Sequence, residues 1–356
     1  MKEAFPNSTG ADLATGWREL RNQEPKLRIR DAAARLGVSE LELLATGLGA
    51  KGGVTRLKGP WPEIIRAMST VGSVMALTRN EFCVHERHGT YGALSIAGHV
   101  GLIVGEDIDL RIFFDPWTYG FSVCEEVRGQ VRQSLQFFDA AGQAIHKIYA
   151  TKETNLELFA KTIDRFRHER QELDERVVLP PVAPISRPDQ DIDVVALRKD
   201  WSTLQDTHDF FALLQHHKVE REQAFRLAGD DYAIAVAPES ARIMLEIAAK
   251  EGLPIMVFVG NPGMIQIHTG PVKHLVTTGP WLNVLDPLFN LHLREDAIAS
   301  TWIVRKPTRD GVVTSLELFD KKGTLIVSFF GKRKPGIPEI GSWRTLAESL
   351  VSRRAA

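Results

Sequence analysis

Residues 134–149 read SLQFFDAAGQAIHKIY and residues 315–330 read SLELFDKKGTLIVSFF, with Ser, Leu, Phe, Asp, Gly and Ile in register at a spacing of 181. The same spacing lays IDLRIFFD over FNLHLRED and VSELELLATGLG over VEREQAFRLAGD. With a one-residue slip it also pairs VGSVMALTRNE with GLPIMVFVGNP and places Asn80 on Asn261. One offset held over about 145 residues marks an internal duplication, so whatever one copy folds into, the other must as well. Each copy is a unit of roughly 150 residues, the size of an ordinary domain.

Between the copies RVVLPPVAPISRPDQDID, residues 176–193, carries four prolines in nine positions, which forbids a helix or a central strand. The expected organisation is an N-terminal repeat over 1–175, a Pro-rich linker over 176–200 and a C-terminal repeat over 201–356. Within each copy helices come first. RIRDAAARLGVSELELLATGLG and WSTLQDTHDFFALLQHHKVEREQAFRLAG both show helical apolar spacing, and residues 204–225 read as one amphipathic helix. Short β-branched and aromatic runs follow, from IMVFVG to TLIVSFFG, and LELFDKKGTLIVSFF has the form of a hairpin. Strands spaced this closely without intervening helices form an antiparallel sheet, so the expected class is α+β. TNLELFAKTIDRFRHERQELDER closes the first copy as a helix, and a helix near 341–353 closes the second.

Apolar content of 44% and charged content of 25% are those of a soluble globular chain. A net charge of −1 gives no global pull toward nucleic acid or an anionic membrane. No apolar run approaches the roughly 18 residues that span a bilayer, and the first residues lack the pattern of a secretion signal. Cys83 and Cys124 are too few for a disulfide framework or a thiolate metal site. The cytosol is the expected compartment.

Two motifs tempt and fail. GLGAKG at 47–52 fits GxGxxG but follows a helix, where a dinucleotide loop must follow a strand. HERH at 85–88 puts its two imidazoles on opposite faces of a strand, so these residues are expected to face solvent.

Function is sought where the copies differ. His208 stands at the repeat position of Leu27, at the edge of the arc formed by Phe210, Leu213 and Leu214 on a helical wheel. A histidine so placed suits either a ligand-binding group or a hydrogen-bonded boundary residue. His216 and His217 are expected to be exposed. Arg111 lies opposite His292 of the other copy and alternates with Leu110 and Ile112, so it faces away from them if they are core. An ion pair with Asp109 or Asp115 accounts for it equally well.

DTHDFFALLQHHKVEREQAF, IMVFVGNPGMIQIHTGPV, WIVRKPTRDGVVTSLELFD, TRNEFCVHE and GHVGLIVGEDIDLRIF resemble the HemS/HmuS-type hemin transport and hemin-degrading proteins, cytoplasmic members of Gram-negative haem uptake systems. The resemblance runs from about residue 28 to about residue 350. It implies two repeated α+β halves, each a large antiparallel sheet flanked by helices, with one haem b in a cleft between them. It makes His208 the axial iron ligand and Arg111 the distal group, catalytic if the protein is an enzyme, with Phe113 nearby. Arg221, Lys306 and Arg333 match basic positions near the propionates. Phe330 departs from the tyrosine common in the family, so it can supply only packing. Neutral imidazole ligates iron well when its second nitrogen has an acceptor, which the sequence does not reveal. Guanidinium cannot ligate iron but can donate to a group on its far side.

Two activities follow from the resemblance. One is a carrier that takes hemin from an inner-membrane ABC transporter to a haem oxygenase. The other is an enzyme that opens the porphyrin with electrons from a reductase or small reductant and releases iron. The lack of a flavin or nicotinamide site leans toward the first and Arg111 toward the second. A duplicated binding protein for another apolar anion is the third reading.

Overall fold

The computed structural model describes residues 10–49, 53–127, 129–173, 177–178, 187–334 and 336–353. The end of GLGAKG and most of the Pro-rich linker lie outside the described residues. The chain divides into two compact units. One is Met1–Arg79 with Arg87–Pro181 and Asn261–Ile265; the other is Asn80–Glu86 with Val182–Gly260 and Gln266–Ala356.

The first unit opens with helices α1 (Gly10–Gln23), α2 (Ile29–Leu36) and α3 (Glu40–Ala45). Gly37, at φ 70°, stops α2 in the left-handed region that glycine enters at least cost. Ser39 starts α3: its hydroxyl accepts the Glu42 N–H at 3.1 Å while the Glu42 carboxylate accepts the Ser39 N–H at 2.8 Å. Then come β1 (Val54–Leu57), α4 (Trp61–Ala67), β2 (Gly72–Arg79) and β3 (Cys83–Gly89), the last spanning the chain's passage between units. A short meander follows, β4 (Ser95–Ala97), β5 (Val100–Ile103) and β6 (Asp109–Phe113). The long strands β7 (Tyr119–Val127), β8 (Gln130–Phe138) and β9 (Ala144–Thr154) lead to α5 (Leu156–Arg165). Strands β1, β7, β8, β9 and β2 pair antiparallel in that order.

The second unit repeats the plan. Helices α6 (Val194–Ser202), α7 (Asp209–His217) and α8 (Arg221–Ala228) precede β10 (Ala233–Val236) and α9 (Ser240–Glu251). After β11 (Ile255–Asn261) and β12 (Met264–Gly270) comes the meander β13 (Leu275–Thr278), β14 (Trp281–Leu285) and β15 (Phe289–Arg294). Strands β16 (Ser300–Thr308), β17 (Gly311–Phe319) and β18 (Leu325–Gly331) lead to α10 (Gly341–Ser352). The order β10, β16, β17, β18, β11 matches that of the first unit, strand for strand.

The hairpin turns repeat in detail. Asp139 Oδ1 accepts the N–H groups of Ala141 and Gln143 at 2.9 and 2.8 Å, and Asp320 Oδ1 accepts those of Lys322 and Thr324 at 2.8 and 2.9 Å. Gly142 and Gly323 hold φ near 71° and 74° in the same turn. The register slips at Phe137/Phe138 and again at Leu318/Phe319. Over the described residues the strands form two nine-stranded sheets, the α+β duplication that the repeat predicts.

Three expectations are corrected. Residues 204–225 are not one helix: the chain turns before α7 and again at Lys218, φ 50°. The helix closing the first unit ends at Arg165. Phe166 is buried and the backbone beyond it bonds beside β1, Lys58 N–H to Phe166 O at 2.8 Å and His168 N–H to Arg56 O at 2.9 Å, which outweighs helical continuation. His85 of HERH does not face solvent; it is buried with its ring edge-on to Phe289.

Candidate haem site

His208 owes its position to two aspartates. Asp206 Oδ1 accepts the His208 N–H at 2.9 Å, and Asp209 Oδ2 accepts the Asp206 N–H at 3.1 Å. These side-chain bonds take over backbone donors that a continuous helix would have to satisfy, so α7 starts at Asp209 with His208 as its N-cap. The imidazole therefore stands at a helix start, 84% exposed, and not along a helix face.

Its Nδ1 lies 2.6 Å from Asp206 Oδ1. The Asp206 carboxyl is held below the usual range, chiefly by the His208 backbone N–H, against burial and with help from the imidazole and the Arg333 guanidinium. An ionised carboxylate can only accept, so Nδ1 carries the proton and the Nε2 lone pair points outward. This is the acceptor that sequence reasoning left unassigned.

Behind α7 the aromatic core of Trp201, Phe210, Phe225 and Phe319 packs against β16 and β17. Two expected cations enter this core. Arg221 donates to Glu317 through Nε at 2.6 Å and Nη2 at 2.9 Å, and Lys306 Nζ donates to Glu317 Oε1 at 2.8 Å. Ser315 Oγ donates to the same Oε1 at 2.8 Å. Lys306, expected beside a carboxylate of the ligand, thus meets a carboxylate of the protein itself and is only 2% exposed. The Arg221 side chain keeps 29% exposure. Both cations lie over the Phe210 ring, at 5.2 Å for Arg221 and 4.7 Å for Lys306.

Burial would push the Glu317 carboxyl up, but Arg221 and Lys306 hold it well below the ordinary range. Burial lowers the Lys306 ammonium to about 8, Glu317 opposing and Arg221 adding to the shift. Glu317 was missed from sequence, although it replaces Gln136 of the first copy inside an otherwise matching SLxxFD run. Gln136 there donates to Ser134 at 3.0 Å.

Phe330 packs edge-on against Phe258 at 4.9 Å between centroids, with Lys306 Nζ 6.0 Å from its own ring. Arg333 sits 3.6 Å from Asp310 Oδ2, and its Nε is buried without a partner among the described residues. The second unit thus gathers His208, Arg221, Lys306, Phe330 and Arg333 on and behind the start of α7. In the first unit Arg111 and Phe113 share one face of β6, with Leu110 and Ile112 fully buried on the other, as alternation requires. Arg111 is ion-paired with Asp109 and donates to Leu110 O at 3.3 Å. Burial raises the Asp109 carboxyl, and Arg111 opposes that rise.

His216 is exposed as expected, but His217 is not: its side chain is 8% exposed and its Nε2 lies 2.8 Å from Asp200 Oδ2. Among the described residues no helix is long and apolar enough to cross a membrane.

The chain matches the haemin-degrading HemS.ChuX domain over residues 37–166 and 218–350, two stretches whose starts lie 181 residues apart. It is 37% identical over 350 residues to the hemin transport protein HmuS of Yersinia pestis, covering 97% of this chain and 99% of that protein. Among solved structures it is similar to holo-PhuS, a heme-binding protein from Pseudomonas aeruginosa, with TM-score 0.93, 45% identity and coverage of 96% and 99%. The heme-degrading enzyme ChuS of Escherichia coli gives TM-score 0.90 at 38% identity, with coverage of 96% and 100%. The chain is a member of the haemin-degrading HemS.ChuX family.

Proposed function

We propose that the protein binds haem b as cargo, with His208 Nε2 as the axial iron ligand, and carries it from an inner-membrane ABC transporter to a haem oxygenase in the cytoplasm. The observation that carries this reading is the His208–Asp206 pair, which fixes the tautomer and leaves an exposed imidazole nitrogen. A carboxylate on the far nitrogen is the usual support of a metal-ligating histidine. Arg221, Lys306 and Glu317 together leave one net positive charge in the same unit. Arg221 and Arg333 supply donors for the propionates, and Lys306 adds its field from within the core. Phe113 and Phe330 offer apolar surface to the macrocycle. The family resemblance assigns Arg111 the distal role, for which its guanidinium is a hydrogen-bond donor.

Titrating the purified protein with hemin should give a one-to-one Soret shift. His208→Ala should abolish or strongly alter it, and a normal spectrum in that variant removes His208 from the ligand role.

The second reading, oxidative opening of the porphyrin, is favoured by Arg111 and by the naming of ChuS as a heme-degrading enzyme. It is tested by supplying the haem complex with oxygen, a reductase and catalase. Loss of the Soret band under those conditions supports turnover; persistence leaves the carrier.

A further inference from the structure

At the other end of α7 three side chains converge. Asp200 from α6 and His216 and His217 from the last turn of α7 each place a ligating atom within 4.8 Å of the other two. His217 Nε2 is 2.8 Å from Asp200 Oδ2, and the two imidazole rings lie 4.9 Å apart at 84°. Neighbouring residues on a helix normally diverge, since i and i+1 do not face each other. Here their rings meet in the last turn of the helix, just before Lys218 turns left-handed at φ 50°.

We propose that Asp200, His216 and His217 form a binding site for a divalent transition-metal ion of the Zn2+ class, separate from His208. Two imidazoles and one carboxylate are a three-ligand set that zinc takes with water in its fourth position. Imidazole also suits Cu2+ and Ni2+, whereas Mg2+ and Ca2+ call for a shell of oxygen donors, of which this cluster supplies only the Asp200 carboxylate. The donors need to stand roughly 3.3 Å apart around an ion about 2.0–2.1 Å from each. The Asp200–His217 pair is already closer than that, and the exposed His216 ring can swing in. The carbonyl end of α7 adds its negative pole. The Arg187 guanidinium opposes it: its Nη1 donates to the His217 carbonyl at 3.4 Å. A bound ion ties α6 to α7 about 12 Å along the helix from His208, so it stiffens the element that carries that residue.

The test uses the full haem-free chain and ZnCl2 in competition with a chromophoric chelator. One equivalent of Zn2+ should bind with a Kd in the micromolar range or below, and excess Mg2+ should not displace it. His217 is largely buried, so the variants are His216→Ala and Asp200→Asn, each checked for an unchanged circular dichroism spectrum. Both should weaken binding at least tenfold, while His208→Ala leaves it unchanged. No uptake at tenfold excess Zn2+, equal uptake in His216→Ala, or uptake lost in His208→Ala would each overturn the site. None of these readings involves haem, so they stand apart from the proposed cargo.

Discussion

Asp206 Oδ1 accepts both the backbone N–H and the Nδ1 proton of His208, at 2.9 and 2.6 Å. One carboxylate oxygen therefore sets where the helix begins and which imidazole nitrogen is left for a ligand. Asp206→Ala should lower hemin affinity about 10–100-fold, the usual cost of losing the partner of a metal-ligating histidine. Asp206→Asn should fall between the two, because its amide oxygen still accepts but carries no charge. Soret titration measures both; equal affinities in all three proteins would show that the pair does not tune the ligand.

Glu317 is fully buried and pairs with two cations. Removing the carboxylate charge leaves Arg221 and Lys306 facing each other in an aromatic core. Glu317→Gln should cost about 3–5 kcal/mol, the range for a buried charge deprived of its partner. Lys306→Met in the same chain should recover part of that loss by removing the buried ammonium. Urea denaturation of the single and double variants reads the difference, and full additivity would mean that the groups do not interact.

The repeat was legible because it rests on residues that turns and caps demand. Asp139 and Asp320, Gly142 and Gly323 fill turn positions that few other residues can, so 181 survives in the letters. The start of α7 was not legible. Apolar spacing runs through residues 204–225, and periodicity cannot register Asp206 capturing a backbone N–H two residues on. The same blind spot hid the partner of His208. Glu317 was visible as a Gln-to-Glu difference, yet only the fold brings Arg221 and Lys306 to it, from 96 and 11 residues away in the chain.

Acid should destabilise the chain in two stages. His146 is buried between Tyr91 Oη at 2.5 Å and Thr78 Oγ1 at 2.9 Å, and burial lowers its pKa to about 3 from the ordinary 6.5. Between those values the unfolded chain binds the proton and the folded one does not, so stability falls as pH drops below about 6.5. Glu40, buried between Arg79 and Lys147, is pushed up by burial but held down to about 2 by those cations, from an ordinary 4.5. Its contribution is complete above about pH 4.5 and is lost as pH falls toward 2. Thermal midpoints across pH 7 to 3 should decline from about 6.5 and steepen below about 4.5. His146→Gln should remove the first stage only; a flat midpoint from pH 7 to 5 in the unaltered chain contradicts the assignment.

Lys218 ends α7 at φ 50° and ψ 46°, the position that Gly37 holds in the first copy at φ 70°. The capping bonds match: Val38 N–H to Ala33 O at 3.0 Å and Val219 N–H to Leu214 O at 3.1 Å. A side chain in this region costs about 1–2 kcal/mol, whereas glycine gives back about 0.5–1 kcal/mol through the freedom of the unfolded chain. Lys218→Gly should therefore stabilise by about 0.5–1 kcal/mol, and Gly37→Ala should destabilise by about 1 kcal/mol. Lys218→Val should lose at least as much, because β-branching makes the left-handed region costlier still. Urea midpoints at unchanged m-value test the series. If Lys218→Gly were destabilising instead, the lysine side chain would have to supply a contact that outweighs the strain of its backbone.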